Sequence, residues 1–260
     1  MRFLVVLAML LGAGWRELTP GLDLGEFPLS VKSDLDDSAV RIARVDPTRM
    51  ELKLFQLNEL KGNPLTAKEW GKKTGAVAVF NAGMFEPGFE STGYMRSPTF
   101  TSQKRWRGDY NAALMFGPKV KNAAAVRIAD RKCEDATTIA EGYHSVVQSI
   151  RMLGCDGEIT WSQQAKRWSA ALVGIDSKGR LLLIHVRSPY SMHALTAELK
   201  KLPIDLVDLQ YAEGGPEATL YVHAGDVDRD WVGSYETGFN EDNDNKNAWG
   251  LPNVIAVIPR

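Results

Sequence analysis

Short apolar runs of strand length, each closed by turn residues, recur along almost the whole chain and leave little room for long helices. Residues 39–57, AVRIARVDPTRMELKLFQL, alternate apolar and polar side chains about Asp46 and Pro47 and predict a hairpin. Further strands are expected at 76–80, 112–116, 124–128, 145–150, 204–211, 220–223 and 254–258. Residues 170–175 and 180–186 flank Asp176, Ser177, Lys178 and Gly179, which predicts a second hairpin. Helical signals are few. Thr66 with Glu69 has the spacing of a capping box, and Ser191 precedes a run with Met192, Leu195, Leu199 and Leu202 on one face. The pattern predicts one α+β domain at 39–260, rich in strands, with a mixed or antiparallel sheet and a few helices packed on it.

Lysine plus arginine (31) nearly balances aspartate plus glutamate (32), so the chain lacks the basic footprint of a nucleic-acid binder. Residues 1–15 join one arginine, an apolar stretch and small residues, the make-up of a secretory signal peptide. Residues 16–38 are expected to form a lead-in. The apolar stretch is too short to span a bilayer, so no membrane anchor is expected after signal cleavage, and the chain is expected in the periplasm or outside the cell. In that setting Cys133 and Cys155 are most simply a disulfide; two buried thiols are the alternative without export. With His144 between them they match no zinc spacing.

Three strand ends carry residues suited to chemistry. The run VAVF delivers Asn81 and Gly83, the first with donor and acceptor, the second allowing close backbone approach. The run ending in Tyr211 and Ala212 delivers Glu213, Gly214 and Gly215, a carboxylate fixed at a strand end beside room for a ligand. Arg187 and Ser188 follow a buried strand and precede a helix, an arrangement suited to an anionic oxygen. Arg167 precedes the strand at 170 and could enter the same cleft, and His144 and Gln148 could line it. The acidic loop 240–247 lacks the Gly and terminal Glu of a calcium loop. Serine-hydrolase, zincin, P-loop and dinucleotide-binding patterns are not found.

As a set, NAGMF after an apolar strand, RWSAALVGIDSKGRLLLI, the amphipathic helix, YAEGGPEATLYV and LPNVIAVIP resemble the phosphodiester glycosidase family, in order from about residue 40 to 259. Three positions depart from the family pattern. An Asp-Gly-Gly-Gly-Ser bend is Glu213 to Glu217 here, Asn-Gly-Gly is Asn81, Ala82 and Gly83, and Arg-Thr-Ala is looser around Arg167 and Ala170, as in a divergent bacterial-type branch. The resemblance implies hydrolysis of a sugar-1-phosphodiester of an envelope or extracellular glycan; no cofactor is expected and no metal ligand is assigned. Phosphate is already a good leaving group, so the site needs donors for it and a carboxylate near the developing oxocarbenium ion. Arg167 and Arg187 are the expected phosphate contacts, Glu213 the base or cation stabiliser, and Asn81 the residue that binds sugar or aligns water. Asp156, Glu158 or Glu217 could supply a second carboxylate. A non-catalytic glycan-binding domain and a metal-dependent phosphodiesterase are the alternatives.

Overall fold

The computed structural model describes residues 14–260. In chain order its strands are β1 (Gly14–Thr19), β2 (Leu22–Pro28), β3 (Ala39–Val45), β4 (Met50–Gln56), β5 (Ala78–Asn81), β6 (Met95–Arg96), β7 (Thr101–Gln103), β8 (Ala112–Pro118) and β9 (Val126–Asp130). They continue as β10 (Tyr143–Ser149), β11 (Arg151–Leu153), β12 (Trp168–Asp176), β13 (Leu181–Tyr190), β14 (Leu206–Gly214), β15 (Thr219–Ala224), β16 (Val227–Val232) and β17 (Asn253–Pro259). Four short helices accompany them: α1 (Leu57–Leu60), α2 (Ala67–Thr74), α3 (Ala136–Ala140) and α4 (Met192–Leu199).

The strands form three sheets where one was expected. A seven-stranded sheet runs β1-β2-β3-β13-β12-β14-β11, a second, five-stranded sheet runs β16-β15-β5-β17-β4, and a third, also five-stranded, runs β7-β6-β10-β8-β9. Every ladder between these strands is antiparallel, so the expected α+β domain is mostly β. The three sheets meet in one core that includes Ala43, Ala171 and Leu183 from the largest sheet, Phe80, Leu220 and Ile255 from the second, and Leu114 and Val147 from the third. The outer face of the largest sheet is buried too: Val40, Ile42, Leu172 and Ile184 pack with Met192, Leu195 and Leu199 of α4. Burial on both faces explains the nearly unbroken apolar runs of β12 and β13.

Two expectations about the first part of the chain change. Residues 39–57 are two strands, but β3 joins β2 and β13 while β4 joins β17, so the turn at Asp46 crosses between sheets instead of closing a hairpin. The segment expected as a lead-in contributes β1 and β2. Trp15 packs edge-on against Phe27 at 5.3 Å, and the Arg44 guanidinium lies 3.8 Å over the Trp15 ring. Residues 1–13 of the expected signal peptide lie outside the described residues. Among the described residues no helix is long and apolar enough to cross a membrane.

The local signals hold where their chemistry is self-contained. Thr66 Oγ1 accepts from Glu69 N while Thr66 N donates to Glu69 Oε2, completing the capping box, and Ser191 Oγ accepts from Ala194 N. Asp176 is buried in the β12–β13 turn, where it accepts from Lys178 N and Arg180 N and from Arg180 Nε at 2.7 Å. Cys133 and Cys155 form a disulfide, tying the turn after β9 to the turn after β11. Closing a loop across 22 residues is worth about 3 kcal/mol through the unfolded chain. Reduction, or Cys133→Ser with Cys155→Ser, is therefore expected to lower the melting temperature by about 6–12 °C in differential scanning calorimetry.

Candidate active site

The site grows from the middle of the largest sheet. Ala171 on β12 sits directly between His185 on β13 and Glu213 on β14, and His185 is paired with Arg41 on β3. Arg41, His185, Ala171 and Glu213 thus form one row on the face turned to the shared core. His185 is fully buried, and its Nε2 faces the Ala218 carbonyl at 3.3 Å. Burial foremost, with Arg41 adding, pushes its pKa down to about 3, so it is a neutral imidazole donating through Nε2–H.

After Glu213 the chain turns through a single 3₁₀ turn at Gly215–Glu217 before β15 begins. Asn81, at the end of β5, grips this bend from both ends of its amide. Its Nδ2 donates to the Glu217 carbonyl at 3.0 Å, and its Oδ1 accepts from Thr219 N at 2.7 Å. The Ala218 carbonyl, between those two groups, takes Gly233 N at 2.7 Å as well as His185. Asn81, expected to bind sugar or align water, is buried, and both ends of its amide hold the backbone of the bend.

The two glycines of the bend are required by the protein's own side chains. Gly215 has φ +60°, and a Cβ there would collide with Glu236 Oε2. A Cβ on Gly214 would collide with the Tyr211 hydroxyl and lie 2.6 Å from Trp168 Cδ1. The space expected for a ligand over these glycines is therefore filled by Trp168, Tyr211 and Glu236. Trp161, Trp168 and Tyr211 form a contiguous aromatic wall, with ring centroids 5.6–6.5 Å apart.

Three carboxyl groups share this recess. Glu213 Oε1 accepts from Gly214 N at 3.1 Å. Glu213 keeps an open edge, yet burial raises its pKa to about 8, partly offset by that hydrogen bond and reinforced by Glu217 and Glu236. Burial likewise raises Glu217, with Glu236 adding, and raises Glu236 against the pull of Lys166. Tyr211 is raised well above its ordinary value by burial and by Glu213 and Glu236. A shift of this size favours the protonated form of Glu213 near neutral pH; a base or cation stabiliser was the expectation. Glu217 and Glu236 are the neighbours available to ionise.

The other expected site residues are differently engaged. Arg167 forms a two-pronged ion pair with Asp34 and lies over the Tyr235 ring at 5.3 Å. Arg187 pairs with Asp36 at 2.5 Å and donates to the Val232 and Asn243 carbonyls. Ser188 is buried, and its Oγ accepts from Ser38 N. Gln148 is a staple for the loop between β6 and β8: its Oε1 accepts from Tyr94 N and Arg107 N, and its Nε2 donates to the Arg107 and Tyr110 carbonyls. Gly83 follows Asn81 and packs near Val147 and Met95. His144 is exposed on β10 beside Gly117, and Asp156 and Glu158 are exposed in the disulfide-tied turn. Of the second carboxylates considered, the fold brings Glu217 to Glu213. Glu236 escaped the sequence pattern because a distant bridge delivers it: Trp168 pairs with Glu236, and Ser169 N donates to the Tyr235 carbonyl.

Because Glu213 titrates higher in the folded chain than in the unfolded chain, its contribution to stability is complete below about pH 4.5 and is lost as pH rises through about 8. Glu213→Gln is accordingly expected to melt above the wild type at pH 9 and to lose that advantage at pH 5, as read by thermal unfolding across pH. An advantage that does not change with pH would place the group's pKa near its ordinary value.

The phosphodiester glycosidase family model matches residues 74–258. Among solved structures, the chain superposes on the zebrafish N-acetylglucosamine-1-phosphodiester alpha-N-acetylglucosaminidase catalytic domain, auto-inhibited by its pro-peptide. The TM-score is 0.67 at 16% identity, covering 94% of this chain and 86% of that one. It also resembles a hypothetical protein from Synechocystis (TM-score 0.60, 11% identity, 93% of this chain and 63% of that one). A third similar structure is a protein of Burkholderia pseudomallei K96243 described as exported (TM-score 0.52, 11% identity, 85% and 74%). No curated protein matches by sequence. At these identities the superpositions establish a shared fold, and the family model, covering most of the chain, establishes that it belongs to the phosphodiester glycosidase family.

Proposed function

We propose that this chain hydrolyses the glycosidic C–O bond of a sugar-1-phosphodiester in an envelope or extracellular glycan. The observation that carries the reading is the recess in which Glu213 keeps its proton near neutral pH beside Glu217 and Glu236, against a wall of Trp161, Trp168 and Tyr211. In this reading Glu213 gives its proton to the departing phosphate oxygen as the C1–O bond breaks. An ionised Glu217 or Glu236 stabilises the positive charge at C1 and takes a proton from the attacking water. Free sugar and a phosphate monoester leave. The half-buried Trp161 and Trp168 rings supply apolar faces for the C–H side of the sugar.

The leaving phosphate needs a partner, and Arg167 is the candidate at the edge of the recess, next in the chain to Trp168. Contact with phosphate requires its guanidinium to exchange Asp34 for the substrate. Arg187, held by Asp36 and two carbonyls, fixes the loops around the site. The disulfide supports an oxidising location, periplasmic or extracellular, in keeping with the expected signal peptide.

The test is turnover of an N-acetylglucosamine-1-phosphodiester in oxygen-18 water, with and without EDTA. The expected result is EDTA-resistant release of sugar carrying the label at C1, with kcat falling above about pH 8. Glu213→Gln is expected to lose about 10²–10⁴-fold in kcat. Label in the phosphate together with EDTA sensitivity would establish a metal-dependent phosphodiesterase. Binding without turnover across a panel of sugars would establish a glycan-binding domain.

A further inference from the structure

A cavity of about 380 Å³ opens between the β2–β3 loop, the segment before β12 and the start of α4. Its lining includes Lys32, Ser33, Asp34, Gln164, Arg167 and Tyr190. Two links tie it to the carboxylate recess. Arg167 precedes Trp168 in the chain, and Tyr190 is the ladder partner of Trp168, whose ring closes the recess against Gly214. The loop that forms one wall is fastened to the rest of the fold. Glu198 Oε2 accepts from Ser30 N at 2.6 Å and from Val31 N at 2.9 Å. The Tyr190 hydroxyl donates to the Val31 carbonyl at 2.8 Å, and Ser33 N donates to Ser38 Oγ at 2.9 Å.

Donors dominate the charged and amide groups of this cavity. Lys32 is exposed, and its Nζ donates to the Leu29 carbonyl at 2.8 Å, with two donor hydrogens remaining. Gln164 Nε2 is buried without a hydrogen-bond partner, a donor whose cost an incoming acceptor would relieve. Arg167 presents a planar fork suited to two oxygens of one anion. Asp34 is the only carboxylate in the lining, and it occupies that fork. Its side chain is 63% exposed, so this is a surface ion pair that an incoming anion replaces at little cost. Two cations against one carboxylate leave the cavity net positive, whereas the recess beside it holds three carboxyl groups. Val31, Ala165 and Pro189 add apolar surface. A phosphate monoester matches this set: its oxygens accept from guanidinium, ammonium and amide together, and its carbon skeleton meets the apolar residues.

We infer that this cavity is the leaving-group subsite, taking a phosphate monoester of a small alcohol or sugar, with Asp34 holding Arg167 in place until the phosphate displaces it. This rests on the reading of the recess as a glycosidase site and names the group on the far side of the bond that is cut. The test is binding of the product monoester, which is independent of turnover. Glycerol 3-phosphate, glucose 6-phosphate, inorganic phosphate, glycerol and glucose are titrated by calorimetry at neutral pH. The proteins are the wild type, Lys32→Ala, Gln164→Ala, Arg167→Gln and Asp34→Asn, each checked by thermal melting.

The expected result is that at least one organic monoester binds with Kd below about 1 mM and at least about threefold more tightly than inorganic phosphate, while glycerol and glucose do not bind in that range. Lys32→Ala and Gln164→Ala should each weaken that binding about three- to tenfold at unchanged melting temperature, and Arg167→Gln should weaken it at least about tenfold. Asp34→Asn removes the competing carboxylate and should tighten binding about threefold. The inference is overturned if neither monoester binds, if inorganic phosphate binds as tightly, if Lys32→Ala and Gln164→Ala bind like the wild type, or if folded Asp34→Asn binds less tightly. Loss of the catalytic reading would show differently, as monoester binding weakened by these substitutions without hydrolysis of any sugar phosphodiester.

Discussion

The two-ended grip of Asn81 on the bend between β14 and β15 is the interaction on which the site depends. A single side chain satisfies the Glu217 carbonyl and the Thr219 amide, and it reaches them from another strand of the sheet that β15 joins. The bend lies where the largest sheet passes into the second one, a place where ladder hydrogen bonds end and buried peptide groups must find other partners. Asn81, His185 and Gly233 supply those partners to three consecutive residues, 217–219. The backbone carrying Glu213 and Glu217 is thereby fixed from both sides, as a reacting group requires.

What the fixed bend creates is an electrostatic problem the protein leaves unsolved. Glu213, Glu217 and Glu236 meet beside tryptophan and tyrosine, and none of the three forms an ion pair among the described residues. The arginines closest in the chain and in the sheet are engaged elsewhere, Arg167 with Asp34 and Arg187 with Asp36. Desolvation is the larger cause of the raised pKa of Glu213, and repulsion from its two neighbours adds to it; one hydrogen bond from Gly214 N only partly opposes them. A fold that gained stability from each polar group would have paired these carboxylates. Acid-assisted glycoside cleavage uses one protonated carboxyl and one ionised carboxylate, which is the pairing proposed for this recess.

Strands, caps and turns were legible because their signals are local. The Thr66 box, the Ser191 cap and the Asp176–Gly179 turn each form from residues within a few positions of one another. The partition into three sheets was not legible. Which strand β4 pairs with depends on β17, some two hundred residues later, and nothing in the alternation of 39–57 encodes that choice. In the site, Glu213 and Asn81 stood out because each ends an apolar run. Their roles did not, since the pKa of Glu213 comes from neighbours brought by other elements and the Asn81 amide is consumed by a distant bend. Glu236 had no local signal at all. The glycines at 214 and 215 were visible as a need for close approach, but the approaching groups are the protein's own.

The account stands on the claim that Glu213 is protonated at neutral pH. Carbon-13 labelling of glutamate side chains, with Glu213→Gln to assign the carboxyl signal, lets that group be titrated directly in the folded protein. A midpoint near pH 8 is the predicted result. A midpoint between about 4 and 5, the ordinary glutamate range, would contradict it, and the recess would then lack the proton donor on which the proposed cleavage relies.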